Sequence, residues 1–534
     1  MSAVPEEQAR SSQARTTGVV SVAIMFSRIL GLVREIVFAN LFGANRWTDA
    51  FKMAFRTPNM LRDLFAEGAL STAFVTTFTK KIKEEGDRPA WELAQKMVTL
   101  TLVFMSVVAV LGVLLAPVIL RILVPAWDDY QLGFTVLLAR IMYPFILVVS
   151  LAALVMGMLN AKGRFFIPAL ASSFFNLGSI IGGVLLGYAI DPAFGPMALI
   201  GFAAGTLIGG LTQLFVQVPA LFKMGFVFKL DFGWRDSGVR KVLSLMWPAV
   251  ISGSAVQLSV LLNSVFASFL QKGSITWLDV AFRLMQLPLG VFGVAVGMVT
   301  LPAVSRAASD GISPEFGRIL SKALRLVLVL TLPSAVGLII LAEPVISIIY
   351  ERGKFTAGDT AMAAAALQTY AIGLVFYSGI KVIQPTFYAI ERRFLPMFVS
   401  FGSIAVVAGL NTIWVFVLDL GHEYLALSIS VGAAANFFAL YLAMHHFAGS
   451  LETGRLMAGL AKLLVATAVL AAVCLAGQRF VISPAADSVF LLRAGALGLV
   501  IVVAGAAYFA VTVLLKVEEA GEFLSVLKRR TRRR

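Results

Sequence analysis

Residues 27–68 read SRILGLVREIVFANLFGANRWTDAFKMAFRTPNMLRDLFAEG. The first half has the apolar density of a membrane helix, yet the stretch holds Arg28, Arg34, Glu35, Arg46, Asp49, Lys52, Arg56, Arg62, Asp63 and Glu67. An arginine at the centre of a membrane helix costs roughly 2.5–3.5 kcal/mol on insertion scales, so such residues face water or a partner rather than lipid. The way this stretch is read decides the fold: its charges are either structural ion pairs and snorkelling helix ends or the polar wall of a hydrated cavity inside a bilayer.

The rest of the chain establishes the bilayer. Of 534 residues, 59% are hydrophobic and only 14% charged, with a mean hydropathy of +0.89; soluble domains carry about 25% charge. The single cysteine, Cys474, excludes an internal disulfide and any multi-cysteine metal site, and the three histidines have no zinc-type spacing. No secretory signal precedes the first apolar run, so that helix is expected to be retained.

A spanning helix needs ~20 mainly apolar residues. By that measure the expected spans are 17–42, 57–79, 97–122, 132–160, 165–189, 196–221, 242–270, 277–304, 319–349, 360–389, 395–417, 424–446, 457–480 and 488–515. With the N-terminus inside, the inner segments hold 29 Lys and Arg and the outer ones 8, which puts both termini in the cytoplasm. The basic tail KRRTRRR then faces anionic headgroups rather than nucleic acid.

Seven cations lie outside those inner and outer segments: Arg28, Arg34, Arg62, Arg140, Arg283, Lys381 and Arg493. Arg28 and Glu35, seven apart, share a helix face. Asn59, Asp63 and Glu67 form a stripe at i, i+4, i+8, flanked by Arg62, and Pro58 is expected near the start of the second helix. Glu35, Asp63 and Glu67 balance Arg28, Arg34 and Arg62; Arg46, Lys52 and Arg56 face only Asp49. The surplus is positive and suits an anionic substrate. A short echo links Ala54-Phe55-Arg56 to Ala281-Phe282-Arg283, and at the same offset Phe65 to Phe292. Repeated halves around a midplane site are a common transporter plan.

The runs SRILGLVRE, FGANRWTDAF and PNMLRDLFAEGALSTAFV resemble the opening signature of the MurJ (MviN) family, lipid II flippases of bacterial peptidoglycan synthesis within the multidrug/oligosaccharidyl-lipid/polysaccharide exporter superfamily. LNAKGRFFIPA, FASFLQKGSITWLDVAFRLMQLPLGVFGVA and YERGKFTAGD agree, and the resemblance covers nearly the whole chain. It implies an all-α polytopic membrane protein of about 14 transmembrane helices, with two pseudo-symmetric six-helix lobes and two C-terminal helices around a central cationic cavity. The expected division is a cytoplasmic N-tail 1–16, an N-lobe 17–222, a linker 223–241, a C-lobe 242–449, a pair 450–515 forming a lipid-tail groove, and a basic tail 516–534.

The resemblance also implies a transporter rather than an enzyme, moving lipid II, a polyprenyl pyrophosphate glycopeptide, to the periplasmic leaflet of the bacterial inner membrane by alternating access. Substrate binding is expected at Arg28, Arg34, Arg62 and Arg283, and a charge network at Glu35, Asp49, Arg56, Asp63, Glu67 and Lys381. Where relatives carry acids beside the eighth-span arginine, this chain has Phe282 and Gln286; Asp279, one turn earlier, is the candidate replacement. No cofactor or metal is expected; the coupling agent is a proton, sodium, chloride or the membrane potential. Expected partners are lipid II, membrane lipids and the cell-wall synthesis machinery, with the protein a monomer. Competing readings are a flippase of another polyprenyl-linked glycan, a drug exporter of the same superfamily, and a membrane enzyme acting on polyprenyl phosphates. A cationic-drug site needs excess buried acid, and the outer loops carry no metal-type acid cluster.

Overall fold

The computed structural model describes residues 4–308, 312, 314–392, 394–448, 451–486 and 488–521; the side chains of 4–19, 21, 66–69, 249, 251–253 and 255–256 lie outside that description. Among the described residues every regular element is helical, and the chain divides into two compact units, Met1–Gly273 and Ser274–Arg534.

The first unit runs α1 (Val4–Phe42), α2 (Arg46–Leu61), a π-helical turn Arg62–Leu70, α3 (Ser71–Glu85), α4 (Asp87–Leu123), α5 (Asp129–Met142), α6 (Phe145–Ala161), α7 (Phe166–Ile190), α8 (Ala198–Phe215), α9 (Val218–Phe222) and α10 (Ser237–Ser268). The second runs α11 (Ser274–Pro288), a π-helical turn Leu289–Val294, α12 (Ala295–Ala307), α13 (Pro314–Ile340), α14 (Ala342–Tyr350), α15 (Ala357–Ala389), α16 (Phe394–Phe416), α17 (His422–Ala448), α18 (Thr453–Gly477), a π-helical turn Gln478–Ile482, a short 3₁₀ turn Ser483–Ala485 and α19 (Phe490–Leu514).

Eleven helical stretches among the described residues are long and apolar enough to cross a membrane. The other three expected spans fall on α1, on α2 through α3, and on α10. The exposure profile is that of a protein solvated by lipid: on α4, Val107, Leu111, Leu114 and Val118 are exposed while Ala109, Gly112 and Ala116 are buried. With no hydrophobic drive between helices in lipid, small residues permit close packing. Gly183 and Gly187 on α7 meet Gly201 and Gly205 on α8 so closely that a Cβ on Gly205 would lie 2.4 Å from the Gly183 nitrogen.

The expected lobe boundary at 223–241 and the observed division at Gly273 differ by one helix. By sequence, α10 opens the second half. In the fold it packs on the first π-helical turn, α3 and α4, with Val239, Val242 and Met246 in the same core as Leu93, Phe74 and Phe78.

The second unit packs α15 against α13 and α17, with Gly373 pressed on Ser430. Its last helix pair is tied down at one end by Arg325 of α13. The Arg325 Nε donates to Glu519 Oε1 at 2.6 Å and Nη1 to Glu452 Oε2 at 3.3 Å. Within the pair's core, the Tyr508 hydroxyl donates to the Val329 carbonyl at 2.8 Å.

Candidate anion-binding site

The site is set by the turn between α1 and α2. Gly43 leaves α1 with φ +67°, a region costly for any residue with a Cβ. Asn45 then caps α2: its Oδ1 accepts the N–H groups of Trp47 (2.9 Å) and Thr48 (3.3 Å), and Thr48 Oγ1 accepts the Asn45 N–H at 2.8 Å. The cap starts α2 at Arg46, well before the expected start at residue 57, so Pro58 lies in the helix interior rather than near its start. The chain turns back, and residues of α2 face residues of α1.

Glu35 of α1 is the centre of the arrangement. Its Oε1 accepts Arg34 Nη2 at 3.0 Å, and its Oε2 lies 3.6 Å from Lys52 Nζ of α2. The three side chains are only 23%, 15% and 11% exposed for Arg34, Glu35 and Lys52, so two cations share one carboxylate away from bulk water. The Arg34 guanidinium also lies over the Phe175 ring of α7, 5.2 Å from its centroid. Next to Phe175, Asn176 Nδ2 donates to the Ser27 carbonyl at 3.2 Å and fixes the register of α1 on α7. Arg28, one turn before Gly31, is exposed and makes no ion pair among the described residues.

Below this triad, Arg56 donates to the Ser264 hydroxyl of α10. One helical repeat further, Arg62 Nε and Nη2 both donate to Asp63 Oδ1, at 3.1 and 2.8 Å, and Gln257 Nε2 of α10 reaches Asp63 Oδ2 at 3.4 Å. Arg56 and Asp63 are seven residues apart, and so are Gln257 and Ser264: two helices present matching ladders. Sequence reasoning missed both α10 residues; their spacing, equal to that of the charges they meet, was the available signal. The aromatic base beneath Arg34 had none.

The expected stripe of Asn59, Asp63 and Glu67 does not carry through. Residues 62–70 wind as a π-helix, whose wider turn changes the α-helical spacing from which the stripe was drawn. The side chain of Glu67 lies outside the described residues. Asp49, expected to face the cations of α2, is 3% exposed and accepts the Gly273 N–H at 2.6 Å. Arg46 lies over the Trp47 ring, 4.2 Å from its centroid, and 3.8 Å from Asp128. Lys52 meets Glu35 rather than only Asp49.

In the second unit, Arg283 and Asp279 sit one turn apart on α11, both half-buried. Phe282 packs against Tyr370 with ring centroids 5.3 Å apart, so an aromatic contact occupies the position where an acid was expected. Lys381 on α15 is exposed and makes no ion pair among the described residues. Two further in-span cations brace neighbouring helices: Arg140 Nε donates to the Val113 carbonyl at 3.2 Å, and Arg493 Nη2 to Ser347 Oγ at 2.6 Å.

The first unit thus places Arg28, Arg34, Lys52, Arg56 and Arg62 along one pair of helices with Glu35 and Asp63 as described counter-charges. Planar guanidinium groups there can donate two parallel hydrogen bonds to a phosphate.

The family described as "Lipid II flippase MurJ" matches residues 38–495. A protein of that description from Burkholderia cenocepacia is 36% identical over 431 residues, spanning 80% of this chain and 82% of its own. A probable lipid II flippase MurJ from Rhizobium tropici is 33% identical over 516 residues, 96% of each chain. Among solved structures, a lipid II flippase MurJ in an inward closed conformation superposes with a TM-score of 0.73 at 25% identity, over 92% of this chain and 98% of the other. A multidrug MATE transporter in an inward-facing conformation shares the fold, with a TM-score of 0.65 at 14% identity over 81% and 98%.

Proposed function

We propose how this chain, which belongs to the lipid II flippase MurJ family, works: it carries lipid II from the cytoplasmic to the periplasmic leaflet of the bacterial inner membrane by alternating access, with both termini cytoplasmic. The diphosphate is the part that hydrocarbon excludes most strongly, because an unpaired charge in an apolar medium is very costly. In this reading Arg34 and Arg28 grip it, Arg62 and Arg56 extend the cationic surface, and Arg283 on α11 is a further candidate for binding diphosphate. The polyprenyl chain lies along apolar side chains of α18 and α19 such as Leu464, Val465, Leu499 and Val502, which are exposed.

The observation that supports this most directly is the shared carboxylate. Glu35 holds Arg34 and Lys52 together. A diphosphate offers more negative charge and more acceptor oxygens than one carboxylate, so it can draw Arg34 away. When it leaves, Glu35 takes Arg34 back. Transport needs two states that bind the substrate differently, and this exchange of counter-charge supplies a difference without leaving a bare cation in the bilayer.

The test is Arg34→Glu in proteoliposomes with fluorescent lipid II. Translocation is expected to stop while the protein inserts normally; translocation at the wild-type rate removes Arg34 from the site. Arg283→Ala is expected to weaken binding of a polyprenyl diphosphate, and unchanged affinity assigns Arg283 to packing.

A further inference from the structure

Between α9 and the cap of α10 the chain runs KMGFVFKLDFGWR (residues 223–235), a segment that the transport chemistry does not use. It is firmly held. Phe226 is buried, with its ring edge-on to Trp91 at 5.7 Å. Gln95 Nε2 donates to the Val227 carbonyl at 2.7 Å, and the Asp231 N–H donates to Thr99 Oγ1 at 3.1 Å. The local acids are engaged internally: Asp231 accepts the Gly233 N–H, and Asp236 accepts Lys96 Nζ and the Gly238 N–H.

What remains turned outward is of two kinds. Val227, Phe228, Leu230, Phe232 and Trp234 are exposed, Trp234 by 59%. Lys223, Lys229 and Arg235 are exposed as well and enter no ion pair among the described residues. The Arg235 guanidinium lies over the Trp234 ring, 4.7 Å from its centroid. Five adjacent large apolar side chains are a poor surface to leave in water. The depth of the segment follows from its fastening to Gln95 and Thr99: on α4 the charges Arg88, Glu92 and Lys96 end there and the apolar run begins. That is headgroup level, where aromatic rings settle and cations meet lipid phosphates.

We propose that residues 223–235 form a docking surface for anionic phospholipid headgroups, with the aromatic side chains set among the upper acyl carbons and Lys223, Lys229 and Arg235 on the phosphates. Exposed aromatic side chains with exposed cations among them fit a lipid surface rather than a protein partner.

The test uses the full chain in nanodiscs of phosphatidylcholine or phosphatidylglycerol with acyl chains brominated near the headgroup. Trp234 emission is obtained by difference from Trp234→Phe. Blue-shifted, strongly quenched emission is expected in phosphatidylglycerol and weaker quenching in phosphatidylcholine. Lys229→Gln/Arg235→Gln, at exposed positions, should lose the excess quenching with unchanged thermal unfolding, and added salt should lose it in the wild type. Equal quenching in both lipids overturns the proposal, as does unquenched, water-like Trp234 emission in phosphatidylglycerol, which would leave the surface to solvent or a protein.

Discussion

The π-helical turn of the first unit begins at Arg62 and the earlier of the second unit's two at Leu289, 227 residues later. The same offset relates Ala54-Phe55-Arg56 to Ala281-Phe282-Arg283. The backbone irregularity is therefore repeated, but its contents are not. The first turn carries Arg62 and Asp63, met by Gln257. The second reads LGVFGV; Gly293 there, and Gly297 one turn on, let α15 come so close that a Cβ on Gly297 would lie 2.5 Å from the Lys381 carbonyl. A π-turn frees backbone from regular α-helical pairing and often marks a functional position. One half fills it with charge and the other packs against it, so the same backbone geometry serves two uses and the chemistry resides in the side chains.

Four experiments break or sharpen that contrast. The largest effect is expected from Leu289→Ala, which empties a buried position of the packed turn: about 2–5 kcal/mol of stability, read as a lower unfolding temperature in detergent, with diphosphate binding retained in the protein that remains folded. Loss of binding without loss of stability would make the second turn a site. Next is Arg62→Ala, which strips Asp63 of a two-donor partner. Losing a charge-assisted contact to the diphosphate costs about 1.5–3 kcal/mol, so transport of labelled lipid II should fall roughly tenfold or more. The unfolding temperature should move little, because the Arg62–Asp63 pair joins chain neighbours that are partly exposed. The reverse pattern would make Arg62 a structural clamp.

Gln257→Leu is smaller, because its hydrogen bond to Asp63 is long at 3.4 Å, and is seen as a several-fold fall in transport that Gln257→Asn fails to restore because its amide is one carbon short. Wild-type transport by Gln257→Leu would reduce the α10 ladder to packing. The smallest effect lies at the cap that opens α10. Burial works to raise the Asp236 carboxyl, but the hydrogen bonds from Lys96, Gly238 and Val239 outweigh it and hold the group below the usual carboxylate range. The unfolded chain therefore binds a proton first as pH falls. The stabilisation is complete above about pH 4 and lost as pH drops through the lowered native value. Asp236→Asn should flatten the acid limb of unfolding temperature against pH; an unchanged limb would show that other carboxylates set it.

The helical class, the family and the clustering of charge at the start were all legible, because each depends on composition or on residues close in sequence. Arg34 with Glu35 and Arg62 with Asp63 are neighbours in the chain, and the structure pairs them. What the sequence hid is what depends on pitch and on distant partners. Nothing in Arg62–Leu70 announces a π-turn, so the Asn59–Asp63–Glu67 stripe was drawn on the wrong helix. Asp49 found a backbone N–H 224 residues away, and Arg34 found an aromatic base on α7; no local pattern encodes either. The start of α2 was misplaced because charge masked a helix that the Asn45 cap fixes.

The attachment of α10 to the first unit bears on how such a chain can be divided. A break within 223–241 separates Gln257 and Ser264 from the residues they serve and leaves Arg56 and Asp63 without those partners. A break after Gly273 leaves both ladders on one fragment. Anyone wishing to express the two units separately has to keep α10 with the helices that precede it, whatever the length of the loop before it suggests.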